Sequence, residues 1–267
     1  MVDAQIGIFG GSGFYHFLDD AEELVLDTPY GSPSAPLTVG TIGDRRVAFI
    51  PRHGRAHEYA PARIPARANL WAMRTLGVRV IVGPSAVGSL RREIEPGDLV
   101  IVDQLVDRTR GREDTFYDGD VVHHVSFASP YCPVVRAEAL RVARAQGLRV
   151  HPQGTIVVVN GPRFSTHAES QWYRAQGWDV IGMTQYPEAY LARELGIHYA
   201  SVALVTDYDT GVDDDPGVAP VTQEQVFAVF AANVDKVRGL LHGLIPAVPL
   251  EPEGCHCREA VGPLPHA

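Results

Sequence analysis

Two carboxylates two residues apart, Asp207 and Asp209, close an apolar run in the stretch Val-Ala-Leu-Val-Thr-Asp-Tyr-Asp-Thr-Gly from Val202 to Gly211. The run Val202 to Val205 reads as a buried strand. If extended geometry persists past it, the period of two sends both aspartates to one side and Tyr208 to the other. Like charges that close resist double ionisation, so one acid would keep a proton near neutrality and serve as a proton donor. In an open α/β sheet, ligands sit beyond the carboxyl ends of the strands, where this pair falls. An ordinary solvated Asp-Tyr-Asp-Thr-Gly turn explains the same residues, because Asp and Gly favour turns for local reasons.

Other segments offer chemistry for an anion. Gly10-Gly11-Ser12-Gly13 follows a short apolar run, and its backbone N-H groups with the Ser12 hydroxyl would form a nest. It is neither the dinucleotide fingerprint nor a P-loop, since Phe14, Tyr15 and His16 follow Gly13. Arg52-His53-Gly54-Arg55 places a guanidinium and an imidazole at a strand end and suits phosphate or sulfate; a surface loop with two arginines is the plainer alternative. Gly83-Pro84-Ser85-Ala86-Val87-Gly88-Ser89 reads as a second strand-to-glycine loop with hydroxyls. Neither glycine loop reads Gly-x-Ser-x-Gly, so a hydrolase nucleophile elbow is not supported. Lys236 is the sole lysine, so nearly all positive charge is guanidinium, suited to bidentate oxyanion binding.

No metal site is expected. His123-His124 has no third ligand at metal spacing, and Cys255-His256-Cys257 alone leaves little room for tetrahedral geometry. A labile vicinal disulfide, or no role, is the reading for that triplet.

The elements that must position these residues alternate. Residues 4 to 9, Leu37 to Val39, Arg46 to Ile50, Val78 to Val82, Leu99 to Val102, Thr155 to Val159 and Asp179 to Ile181 read as strands. Helices are expected over Ala66 to Leu76, Arg136 to Gln146 and Glu188 to Leu195, each closed by a glycine. Thr222 with Gln225 opens a last helix whose stripe of Val226, Phe230, Val234, Val237, Leu241 and Leu244 reads as core or subunit interface. Asp103 to Val125 reads as a long polar loop. Without a linker or repeat, the pattern implies one α/β domain over residues 1–246, then a Pro-rich tail over 247–267.

The 267 residues permit a single large core, and 45% apolar with 21% charged residues is ordinary for a globular protein. A formal net charge of -9 argues against general nucleic-acid binding. No window approaches a membrane span, and Met1 leads into a strand rather than a signal peptide, so a cytoplasmic protein is expected. Three cysteines do not make a disulfide framework in a chain this long.

Taken together, Gly10-Gly11-Ser12-Gly13, Arg52-His53-Gly54, Ser85-Ala86-Val87-Gly88-Ser89, Gly161-Pro162-Arg163-Phe164-Ser165, Gly182-Met183-Thr184 and Thr206-Asp207-Tyr208-Asp209 resemble the purine nucleoside phosphorylase family. The likeness is to its trimeric branch, and within that to members acting on 5'-methylthioadenosine, over roughly residues 5 to 245. The resemblance implies a phosphorylase-type three-layer α/β fold, a central mixed β-sheet flanked by helices, assembled as a homotrimer with shared active sites. It implies a phosphate set of Ser12, Arg52, His53, Ser85 and Thr184. Ala86 and Met183 would lie along the ribose, Phe164 against the purine, and Ser165 near the base edge. His124 would be lent to a neighbour's pocket beside the 5' substituent. Asp207 would act as general acid at purine N7 and Asp209 would hold the 6-amino group, which favours adenine over 6-oxopurines. Phosphate is then a co-substrate that attacks the ribose, with no metal or organic cofactor. At the 5' end, where relatives are apolar, this chain offers Val221, Gln223 and Val226. Gln223 facing the pocket would extend the range to a 5'-hydroxyl or 5'-halogen; Gln223 facing solvent would change nothing. A broader purine nucleoside phosphorylase is the alternative within the class.

Overall fold

A computed structural model describes residues 3–10, 18–211, 219–259 and 261–264. Ser12 and the rest of its glycine loop after Gly10 therefore lie outside the described residues. In chain order the strands are β1 (Ile6–Gly10), β2 (Asp19–Leu24), β3 (Leu37–Ile42), β4 (Arg45–Pro51), β5 (Val80–Ser89), β6 (Leu99–Ile101), β7 (Gln104–Arg108), β8 (Val150–His151), β9 (Thr155–Val159), β10 (Val180–Gly182) and β11 (His198–Asp207). The helices are α1 (Ala66–Thr75), α2 (Pro133–Ala145), α3 (His167–Ala175), α4 (Gln185–Glu194) and α5 (Gln223–Ala247).

All these strands join one mixed sheet. One path runs β2-β3-β4-β1-β5-β10-β9-β7, and β11 attaches to β5 and leads on to β6 and β8. The centre is the parallel pair β5 and β11, in register from His198 opposite Val80 to Val205 opposite Val87, with Asp207 opposite Gly88 after a shift of one residue. Both strands are covered on both faces, which is why they read as unbroken apolar runs. Val202 and Leu204 of β11 face a core cluster with Val135 and Ala139 of α2 and Val237 and Leu241 of α5. Ala203 and Val205 face the opposite cluster, with Leu70 and Met73 of α1 and Leu191 of α4. The result is the expected mixed sheet flanked by helices. Among the described residues no helix is long and apolar enough to cross a membrane.

Two local readings change, and two elements appear that the sequence reading lacks. Gly83 to Ser89 is not a loop; it is the second half of β5, because the ladder to β11 continues through it. Its glycines serve close approach instead: a Cβ at Gly83 would collide with the Tyr199 hydroxyl, and one at Gly88 would stand 2.8 Å from Asp207 Oδ1. Gln104 to Arg108 leaves the supposed polar loop to form β7, parallel to β9. The acidic strand β2 pairs with β3 at the sheet edge and is largely exposed; charge on an edge strand hides the apolar alternation by which strands are read. Helix α3 went unread although Thr166 and Glu169 form a capping box at its start, a Thr-x-x-Glu signal present in the sequence.

Candidate active site

β11 delivers Asp207 as its last residue, and Thr206 is bulged out of register with β5 just before it. The bulge turns the strand end, as bulges beside functional sites commonly do. Asp209 then adopts a left-handed backbone, φ 53°, a conformation that Asp tolerates better than most residues. Both carboxylates are thus buried, at 4% and 3% exposure, while the Tyr208 hydroxyl donates outward to the Arg92 carbonyl. The expected convergence holds, but a left-handed turn achieves it rather than continued extended chain.

Asp207 Oδ2 accepts from the Thr206 hydroxyl at 2.7 Å and Oδ1 from the Asp209 backbone N-H at 2.8 Å. Burial pushes its carboxyl up to about 6, the two hydrogen bonds oppose this, and the neighbouring Asp209 charge adds to it. Desolvation rather than like-charge repulsion is therefore the main cause of its proton affinity. Burial also raises Asp209, against partial relief from Ser170 and Ser165 nearby. Among the described residues its Oδ2 is nonetheless buried without a hydrogen-bond partner, as is the Ser170 hydroxyl beside it. An orphaned buried acceptor is costly and fits a site that receives a donor from a ligand.

The anion end is built around Arg52, 2% exposed at the end of β4. Its Nε and one terminal nitrogen pair with both oxygens of Glu188 at 2.8 and 2.9 Å, and the other terminal nitrogen donates to the Pro84 carbonyl at 2.8 Å. The Tyr199 hydroxyl donates to Glu188 at 2.6 Å, and Gln185 Nε2 donates to the Ser85 hydroxyl oxygen at 3.1 Å. Ser85 thereby keeps its own proton to donate. Thr184 stands at the start of α4, and its hydroxyl makes no capping hydrogen bond there. His53 Nδ1 lies 2.9 Å from the Tyr59 carbonyl; a carbonyl only accepts, so Nδ1 carries the proton and Nε2 is left as an acceptor. Burial, with Arg52 and His57 adding to it, pushes this imidazole down to about 4. It is neutral at physiological pH and suits the protonated face of hydrogen phosphate.

One cavity of about 260 Å³ collects these groups. Arg52, His53, Ser85, Ala86, Phe164, Ser165, Met183, Thr184, Asp207, Asp209, Gln223 and Val226 all line it. Ser12 lies outside the described residues. His124 is exposed and does not line the cavity of its own chain. The first turns of α5 also contribute Phe227 and Phe230, and His57 stands edge-on to Phe227 at 6.2 Å. The α5 stripe is therefore not wholly core: Val237 and Leu241 are buried in it, whereas Val226 and Phe230 face the cavity. Sequence reasoning also missed Arg112, whose guanidinium holds the carbonyls of Val159, Asn160 and Met183 at 3.2, 3.2 and 2.9 Å beneath the site.

A model of the phosphorylase superfamily matches residues 5–246. The chain belongs to the phosphorylase superfamily. This phosphorylase is 53% identical to a purine nucleoside phosphorylase of Streptomyces coelicolor over 98% of its own length and 95% of the relative's. It is 51% identical to an S-methyl-5'-thioadenosine phosphorylase of Mycolicibacterium smegmatis, covering 95% of each. A crystal structure of a methylthioadenosine phosphorylase from an Antarctic soil metagenomic library superposes with a TM-score of 0.90 at 39% identity, covering 98% of this chain and 92% of that one.

The Cys-His-Cys triplet lies far from this cavity and is split by the fold. His256 points outward and pairs with Glu259 at 2.8 Å, while Cys255 and Cys257 turn inward. There they meet Cys132 and His198, with the four ligand atoms all within 4.8 Å of one another. The expectation of no metal there took the triplet in isolation, whereas two of these four residues come from distant parts of the sequence.

Proposed function

We propose that this phosphorylase cleaves 5'-methylthioadenosine with inorganic phosphate, giving adenine and 5-methylthioribose 1-phosphate. The observation that carries this reading is the buried Asp207 and Asp209 pair, one poised near pH 6 and the other holding an unpartnered acceptor. A 6-aminopurine supplies both counterparts, a ring nitrogen that needs a proton and an amino group that donates.

As the bond from ribose C1' to purine N9 lengthens, charge flows into the ring, and Asp207 gives its proton to N7. Asp209 accepts from the 6-amino group, with Ser165 at the base edge and Phe164 against the ring. The ribose, along Ala86 and Met183, gains oxocarbenium character. Phosphate then adds to C1', held by Arg52, Ser85, Thr184, His53 and Ser12. Positioning and electrostatics do this work, without a covalent enzyme intermediate, metal or organic cofactor. The apolar Val226, Phe227 and Phe230 suit a methylthio group at the 5' end. Completion of that end by His124 from a neighbouring subunit goes with a homotrimer of single-domain chains, residues 1–246 each. We place the enzyme in the cytoplasm, in purine and methionine salvage.

Comparing kcat/KM for 5'-methylthioadenosine, adenosine, inosine and 5'-methylthioinosine, with phosphate present, tests base and 5' selectivity together. Methylthioadenosine should lead. Equal turnover with and without phosphate would replace phosphorolysis by hydrolysis.

Gln223 favours a second reading, that of a broader purine nucleoside phosphorylase. It lines the cavity, so its amide is in place to meet a 5'-hydroxyl. Gln223→Leu should therefore raise the preference for methylthioadenosine over adenosine by about 10-fold, the worth of roughly one polar contact at a substrate hydroxyl. An unchanged ratio would remove Gln223 from the 5' subsite.

A further inference from the structure

β11 has chemistry at both ends. Asp207 closes one end, and His198 opens the other, about 30 Å away by strand rise. His198 is 2% exposed, and its Nδ1 lies 3.6 Å from Cys132 Sγ and 3.4 Å from Cys255 Sγ. Cys257, 2% exposed, completes the group, and all three cysteines are free thiols. Cys132 sits at the N-cap of α2, with its backbone N-H donating to the Tyr199 carbonyl beside His198. Two separate elements and the tail thus bring four soft or borderline donors to one point.

We propose that Cys132, His198, Cys255 and Cys257 form a structural Cys₃His site for a divalent cation of the zinc class. Bond lengths of about 2.3 Å to sulfur and 2.0–2.1 Å to nitrogen give tetrahedral edges of about 3.8 Å between sulfurs and about 3.6 Å from sulfur to nitrogen. The two sulfur-to-nitrogen separations already match, and the longest edge needs to contract by about 1 Å or less to close a tetrahedron. Hard cations are disfavoured by this donor set, which contains no oxygen ligand. A disulfide would consume two of the thiols and leave the third sulfur and the imidazole unexplained.

Charge supplies an independent argument. Arg193 is 6% exposed, and its guanidinium donates to the Ser126 and Ser129 carbonyls at 3.3 and 2.6 Å and approaches Cys257 Sγ at 3.8 Å. Among the described residues no carboxylate pairs with it. A divalent cation held by three thiolates and a neutral imidazole makes a complex of one net negative charge, which the buried guanidinium neutralises. Arg193 would then play the supporting role that hydrogen-bond donors to metal-bound sulfur commonly play. The site would fasten the tail to the start of β11 and, through Arg193, to the segment leading from His124.

The test uses the full chain, expressed without a histidine tag and purified under reducing conditions in zinc-supplemented medium. Elemental analysis should find about one zinc per chain, and Cys257→Ser or His198→Ala should reduce this at least 10-fold. Cobalt added to metal-stripped chain should give the intense visible absorption of a tetrahedral thiolate complex. Chelation should lower Tm by about 5 °C or more and leave kcat within about twofold, because the site is remote from the reacting atoms. Zinc-free chain that binds no cobalt under reducing conditions would overturn the proposal. So would a disulfide among these cysteines, detected by mass spectrometry after alkylation at lysis.

Discussion

Replacing Asp207 with asparagine should lower adenine release from 5'-methylthioadenosine by roughly 10²-fold or more and at the same time make the chain harder to unfold. The two effects have one cause. Burial raises the Asp207 carboxyl from 3.8 to about 6. Measured against its protonated form, it costs nothing below its ordinary value, and it opposes folding increasingly as pH rises from 3.8 through about 6. At neutral pH the opposition is about 3 kcal/mol. Asparagine removes that cost and keeps the local hydrogen bonds. Its oxygen accepts from the Asp209 N-H, and its amide donates to the Thr206 hydroxyl, which then gives its proton to the Val87 carbonyl 3.2 Å away. Denaturant titration at pH 7.5 should show a gain of up to about 3 kcal/mol, and the gain should vanish below pH 4. The kinetic counterpart is an alkaline limb in kcat/KM near pH 6 that asparagine abolishes. In kcat that limb should move higher, because a bound purine buries the acid further. Near-normal turnover of methylthioadenosine by this variant would sink the assigned role.

A residue is legible in the sequence when its burial or its chemistry shows in the local pattern, and hidden when only a distant partner gives it a role. Strands buried on both faces announce themselves by apolar runs, so β1, β5, β9 and β11 were found. The acidic β2 could not be, because its charges serve the sheet edge rather than the core. Asp207 and Asp209 stood out as acids at a strand end, and Arg52 with His53 as cations at another. Glu188, Gln185 and Tyr199 did not, because each sits in a stretch that reads as ordinary helix or strand. Nothing local distinguishes a glutamate that will meet an arginine 136 positions away. The Cys-His-Cys triplet shows the same limit: two of the four clustered residues come from elsewhere, and His256 is not among them. Phe230 was legible as apolar, but periodicity cannot tell a core-facing residue from one facing a cavity.

Glu188 gives the sharper test of the anion end because it was invisible in the sequence. Its side chain and that of Arg52 are each 3% exposed, and they pair through two hydrogen bonds. In Glu188→Gln the amide turns a donor toward the guanidinium, and a buried cation loses its counter-charge. Breaking such a pair costs about 3–5 kcal/mol, so without phosphate the variant should melt about 8 °C or more below the parent. Turnover should fall at least 10-fold, since Arg52 loses the partner that aims it. Phosphate should behave in the opposite sense. In the parent, Glu188 already neutralises Arg52 and repels an incoming dianion; in the variant, the dianion supplies the missing charge. The rise in Tm caused by saturating phosphate should therefore be larger in Glu188→Gln than in the parent, even as catalysis falls. Equal rises in the two proteins would mean that Arg52 does not touch phosphate, and the guanidinium would then be a buried strut that locks β4 to α4.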